Sequence, residues 1–60
     1  MIDNAVLHAF PHSPWIAKCA VNVRQGKKIV LRAVLRDEKA ARAWLARVFP
    51  DINCKLIIHN

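Results

Sequence analysis

The 60-residue sequence has few of the residues on which catalysis, disorder and membrane insertion depend. It contains no Thr or Tyr, a single Ser, four Asp or Glu, one Gly and three Pro. So small a supply of nucleophiles and carboxylates excludes most covalent and acid/base chemistry. The 55% of apolar residues excludes disorder, and the apolar runs are shorter than the roughly 20 residues that cross a bilayer. We therefore expect one small folded domain over residues 1–60 that is not an enzyme.

Cysteine and histidine are too sparse to predict a disulfide framework or a metal centre. The amino-terminal residues lack the basic start and apolar core of a secretory signal, which predicts a cytoplasmic protein. In that compartment we expect Cys19 and Cys54 to be free thiols, although neighbouring strands would allow a disulfide. His8, His12, Cys54 and His59 form a loose ligand set whose spacing matches no zinc pattern. No metal and no other cofactor is predicted.

Alternation of apolar and polar residues predicts strands over residues 15–23, 27–35 and 53–59. Gly26, the sole glycine, is expected to take the positive φ angle of a hairpin turn between the first two. A three-residue loop ending at Gly26 would pair Val23 with Lys27, a register that keeps like residues on one face.

The period changes to that of a helix over residues 38–48, with Asp37 as a favourable N-cap and Glu38 in the first turn. A buried stripe is predicted at the i, i+3, i+4, i+7 positions Ala41, Trp44, Leu45 and Val48. Pro50 prevents continuation. Phe10 and Phe49 are also assigned to the core.

These elements predict an α+β fold with two layers, β-β-α-β, in which the helix packs on one face of a small antiparallel sheet. With the predicted strands numbered in chain order, the simplest closed sheet has the order 2-1-3, and its last strand lies antiparallel to the first. Residues 5–10 are predicted to add an N-terminal edge strand at most, because Pro11 and Pro14 follow.

Positive charge is what the sequence has in excess, since ten Lys or Arg against four acidic residues give a net charge of +6. Such a balance predicts an anionic partner, either nucleic acid or an acidic protein surface. Several cations are expected on the sheet face away from the helix or at the hairpin tip. These candidate binding residues are Lys18, Arg24, Lys27, Lys28, Arg32 and Arg36. A basic two-stranded ribbon fits the major groove of duplex DNA.

Apolar residues interleave with those cations at Ile16, Ala20, Val30, Val34 and, as a further candidate, Ile57. A solvated sheet face would be more polar, so we expect the N-terminal segment, a second copy of the chain or a partner to cover it. The aromatic residues are expected in the core or at the rim. A stacking platform for single-stranded RNA is therefore not predicted.

Residues 26–45 combine a basic strand, GKKIVLR, with a helix, DEKAARAWL. This combination resembles the arm-site DNA-binding domain at the N-terminus of phage-type tyrosine integrases, where a basic strand and a short turn precede a helix written roughly K-x-E-A-x-x-W-L. The resemblance implies DNA contacts by Lys18, Lys28, Arg32 and Arg36.

The leading hypothesis is a small, basic, non-catalytic module that binds nucleic acid, in particular duplex DNA, through the open sheet face. A second hypothesis is a stoichiometric protein inhibitor or adaptor, similar in size to the anti-CRISPR proteins of phages, that sets the same face against an acidic protein surface. A third is a homodimer whose sheet faces pack together. Comparing captured partners with and without nuclease treatment separates the first two.

Overall fold

The computed structural model describes residues 2–60, which form four strands and one helix. The elements in chain order are β1 Asn4–Ala9, β2 Cys19–Gln25, β3 Lys28–Leu35, α1 Glu38–Val48 and β4 Asn53–Ile58. They build a single sheet in the order β3-β2-β1-β4, in which β2 is antiparallel to β1 and β3, and β4 is parallel to β1. The predicted α+β class with one helix on a small sheet is therefore confirmed, whereas the sheet is mixed rather than antiparallel.

The amino-terminal segment forms an inner strand, so the prediction of an edge strand is wrong. β1 lies between β2 and β4, and Ala5 and Leu7 on it are fully buried. The predicted order 2-1-3 is wrong for the same reason, because β4 pairs with β1, with Leu56 beside Leu7, and not with β2. A strand that receives hydrogen bonds from both sides has no free edge, and this pairing joins two distant parts of the chain.

The β2–β3 hairpin turns through two residues, Gly26 and Lys27, with Gln25 opposite Lys28. Gly26 has a φ of 62°, as the sequence predicted, and no non-glycine residue in 2–60 has a positive φ. A glycine with positive φ at the first central position is typical of a type II′ turn, whose twist matches that of the strands. The predicted three-residue loop, which would pair Val23 with Lys27, is wrong.

A β-bulge sets the register of the rest of this hairpin. Val23 faces Leu31 while Arg24 faces Ile29, which leaves Val30 as the extra residue. Without the bulge, the two-residue turn would place Leu31 and the alternate residues after it on the solvent side of the sheet. The bulge shifts the phase by one residue and returns them to the helix side.

The core lies between α1 and the sheet. Its fully buried side chains are Ala5, Leu7, Cys19, Val21, Val23, Ala41 and Leu45. Trp44 is half-buried and meets Phe49 edge to face, with ring centroids 6.3 Å apart. Val48 is 46% exposed, so the predicted buried stripe of the helix ends before it.

The helix has the predicted bounds, and its ends explain why. The Asp37 carboxylate accepts a hydrogen bond from the Ala40 N–H at 2.8 Å, which satisfies one of the free donors of the first turn. On the exposed side, Arg42 Nε donates to the Glu38 carboxylate at 2.7 Å. The helix α1 has 11 residues, and within residues 2–60 no helix is long and apolar enough to cross a membrane.

The two cysteines are free thiols. They lie on strands that β1 separates, with Cys19 opposite Ala9 and Cys54 beside Ala5. Cys19 is buried against the helix, and this burial raises the pKa of its thiol. Cys54 is exposed.

Candidate functional site

The sheet face opposite α1, called the outer face below, has no helix or second sheet packed on it within residues 2–60. Strand side chains alternate between faces, so the register assigns its positions. They are Asn4, Val6 and His8 of β1, Ala20, Asn22 and Arg24 of β2, Ile29, Arg32 and Val34 of β3, and Asn53, Lys55 and Ile57 of β4. Beyond the strand ends the same phase is continued by Phe10, Lys18, Arg36 and His59.

Cations run across the outer face on three strands. Arg32 lies on β3 opposite Asn22, and Lys55 lies on β4 beside Val6. At one end, Arg24 donates from Nη2 to the Lys27 carbonyl oxygen at 3.1 Å, which holds the guanidinium over the hairpin turn.

The opposite end of the face carries Lys18 and Arg36. The Lys18 N–H donates to the carbonyl oxygens of Leu35 and Arg36 at 3.2 and 3.1 Å. This contact brings the start of β2 and the end of β3 together, so that the two cations lie side by side. Both are exposed.

Two of the predicted candidates lie off the outer face, and one cation on it was missed. Lys27 is in the turn, and the two-residue turn places Lys28 opposite Gln25, on the other face from Arg24; the bulge at Val30 puts Lys28 out of phase with Arg32 as well. Lys55 was left out of the candidate set, although its alternation with the apolar Leu56 was the signal that could have found it.

No side-chain carboxylate lies on the outer face. Asp37 caps α1 and Glu38 binds Arg42 on the helix. Asp3 accepts the Gly26 N–H beside the hairpin turn, and Asp51 lies in the turn before β4. The four acidic residues are thus at the helix, the hairpin tip and a loop, and Lys18 lines a cavity at the edge of the sheet together with Asp37 and Glu38.

Three rings meet on the outer face near Lys18. His8 Nδ1 lies 2.9 Å from His59 Nε2, a hydrogen bond between imidazoles on adjacent strands. The Phe10 ring stacks on His59 with centroids 4.6 Å apart and an interplanar angle of 14°. We call Phe10, His8 and His59 the ring cluster.

The position of Phe10 corrects the sequence prediction that it belongs to the core. Its N–H donates to the Lys18 carbonyl oxygen at 2.8 Å, which extends the β1–β2 pairing past the end of β1. Because side chains alternate along this continued strand, Phe10 lies on the same face as His8, and its side chain is 38% exposed. The outer face therefore has an aromatic surface, which the sequence analysis did not expect.

Two imidazoles supply at most two ligands to a metal ion, whereas a structural zinc site needs four. Within residues 2–60, no group of three or more Cys, His, Asp or Glu side chains is placed to hold a metal. The loose set noted in the sequence is only partly brought together, because Cys54 lies in phase with Ala5 on the helix side.

Large apolar side chains border the cations. Val34 is 68% exposed on β3, and Trp15 and Ile16 are 76% and 85% exposed in the loop between β1 and β2. Of the three covers expected from the sequence, the N-terminal segment is excluded, because residues 4–9 lie within the sheet.

The outer face combines cations, amides and aromatic rings. Its amides are Asn4, Asn22 and Asn53, of which Asn4 lies opposite Arg24, Asn22 opposite Arg32 and Asn53 beside Asn4. Comparison of the chain with protein-family models, with curated proteins and with solved structures gives no match.

Proposed function

We propose that this chain is a non-catalytic module that binds nucleic acid through the outer face. The observation that carries the proposal is the segregation of charge. The outer face holds Lys18, Arg24, Arg32, Arg36 and Lys55 and no side-chain carboxylate. Lys and Arg bind nucleic acid by neutralising phosphates and releasing their counterions. A surface charged for solubility alone interleaves both signs.

The amides of the outer face support the same proposal. Asn22 lies directly opposite Arg32, and Asn4 directly opposite Arg24. Asn side chains donate to phosphates and read base edges, so these two cations each have a neighbour able to make a directional contact. The resemblance of residues 26–45 to integrase arm-site domains also favours DNA as a ligand.

The test is the salt dependence of affinity for labelled oligonucleotides, measured by fluorescence anisotropy. If four of the cations each neutralise one phosphate, log K falls against log salt with a slope of about −3.6 for a duplex and about −2.8 for a single strand. Arg32→Gln should reduce the slope by roughly one contact, about 0.7 to 0.9. Arg47→Gln, on the exposed side of α1, is the matched control and should leave the slope unchanged.

Equal responses to the two substitutions would mean that the ligand is attracted by net charge alone, and the outer face would lose its assigned role. A slope near zero for every oligonucleotide would refute nucleic-acid binding altogether.

A second candidate function is a stoichiometric inhibitor or adaptor that binds an acidic protein surface. The exposed Val34 and Ile16 favour it, because apolar side chains beside cations are typical of protein interfaces. This candidate requires a complex that survives nuclease treatment, with an affinity that Val34→Asp lowers sharply. Nucleic-acid binding predicts that nuclease releases the partner.

A further inference from the structure

The width of the outer face bears on the form of nucleic acid that fits it. With strands about 4.8 Å apart, the axes of β3 and β4 lie about 14 Å from each other before side chains are counted. The major groove of B-DNA is about 12 Å wide. The β2–β3 hairpin is not a free two-stranded ribbon either, because β1 pairs with β2 up to the Asn4–Arg24 pair.

Only the tip of the hairpin, from Gln25 to Lys28, extends past the flanking strand. A groove contact through this tip would engage Lys27 and Lys28 and leave Arg32 and Lys55 in the body of the sheet without phosphates. A flexible single strand has no such restriction, because it can lie across all four strands.

The ring cluster supplies a second, independent feature. Proteins that bind single strands place aromatic side chains on a basic surface, where unstacked bases lie on the rings. Phe10 is an apolar ring with more than a third of its surface exposed, beside His59 on the open face of the sheet. A duplex keeps its bases stacked on each other and cannot use such a surface.

Two cations adjoin the ring cluster through the backbone. Just beyond the ends of β1 and β2, the Phe10 N–H donates to the Lys18 carbonyl oxygen, and the Lys18 N–H donates in turn to the Arg36 carbonyl oxygen. A nucleotide whose base lies on Phe10 therefore has two cations on the next strands for its adjoining phosphates. Arg32 and Lys55 lie further along the same face.

We infer that the outer face binds single-stranded nucleic acid, with one base stacked on Phe10 beside His59 and the adjoining phosphates held by Lys18 and Arg36. This inference rests on the proposed function and narrows its ligand to a nucleic acid with unpaired bases.

The experiment compares labelled twelve-nucleotide single strands of thymidine and of uridine with a duplex of equal length at one salt concentration. The single strand is expected to bind at least about tenfold more tightly than the duplex, the effect of one stacked base. Phe10→Leu retains an apolar side chain and removes the ring. It should weaken binding of the single strand about tenfold and leave binding of the duplex unchanged.

Phe49→Leu is the matched control, since it removes a ring from the helix side of the sheet, and thermal melting verifies that both variants are folded. A duplex affinity equal to or above that of the single strand would overturn the inference. So would a Phe10→Leu variant that binds the single strand within twofold of the parent. In either case, a slope that still responds to Arg32→Gln retains the proposed function, whereas loss of all salt-dependent binding refutes both.

Discussion

Leu7→Ala is the substitution that tests the position of β1 most directly. Leu7 is fully buried in the middle of an inner strand, with Val21 on one side and Leu56 on the other. Removing such a side chain from a packed core costs about 3 to 5 kcal/mol, because the lost transfer energy adds to the cost of the cavity. A 60-residue domain has about 3 to 9 kcal/mol of stability, so this loss takes much or all of it.

The assay is urea unfolding followed by the emission of Trp44, which is half-buried and should report loss of the core. For a slope of about 1 kcal/mol per molar urea, the midpoint should fall by about 3 M or more. Because Leu7→Ala is at risk of not folding, Leu7→Val provides a measurable step of about 1 kcal/mol. Val34→Ala, at an exposed site on β3, is the control and should change stability by less than about 0.5 kcal/mol.

The placement of β1 would be refuted if Leu7→Ala and Leu7→Val changed the urea midpoint as little as Val34→Ala does. Residues 4–9 would then form a peripheral segment, as the sequence alone suggested, and the sheet would have a different order. The outer face would also lose its continuity between β2 and β4, and with it the ring cluster.

Three further predictions concern the turn and the thiols. Gly26→Ala should lower stability by about 1 kcal/mol and the melting temperature by about 4 to 8 °C, because φ is 62°. No atom lies within 4 Å of the added Cβ, so this loss comes from the backbone angle and not from a clash. Gly26→Asn should lose less stability, and equal melting temperatures of the parent and both variants would contradict the type II′ turn. A thiol reagent should modify Cys54 rapidly in the folded protein and Cys19 only on unfolding, and two equally fast thiols would disprove the burial of Cys19. Burial raises the pKa of the Cys19 thiol, so the unfolded chain loses the thiol proton at a lower pH than the folded protein does. The free energy of unfolding should therefore fall as the pH rises above the ordinary thiol pKa of 9.0. Cys19→Ala should remove this part of the pH dependence, measured as the urea midpoint.

The sequence predicted best what is determined locally. The helix begins after Asp37 because one carboxylate satisfies a free N–H of the first turn, and this requires only neighbouring residues. Gly26 was placed in the turn correctly because a positive φ is inexpensive only for glycine. The register beyond the turn was missed, since the bulge at Val30 follows from the need to pack Ala33 and Leu35 against the core, which is a tertiary requirement.

Errors arose where distant segments meet. Ala5 pairs with Cys54, almost the whole length of the chain away, and no local pattern specifies that contact. For the outer face, alternation was enough to place Arg32, whereas Phe10 was wrongly assigned to the core. One additional hydrogen bond, from Phe10 to Lys18, changes its face and creates the ring cluster.

The parallel pairing of β1 with β4 also determines how the domain resists mechanical force. The two strands run side by side in the same direction, so tension that enters before Asn4 and leaves after Ile58 pulls them past each other lengthwise. All the hydrogen bonds between them then carry the load at once, so they must break together and not one after another. The β2–β3 hairpin lies outside this line of tension. When it is pulled from before Asn4 and after Ile58, the domain should therefore resist extension more strongly than its thermodynamic stability alone would suggest.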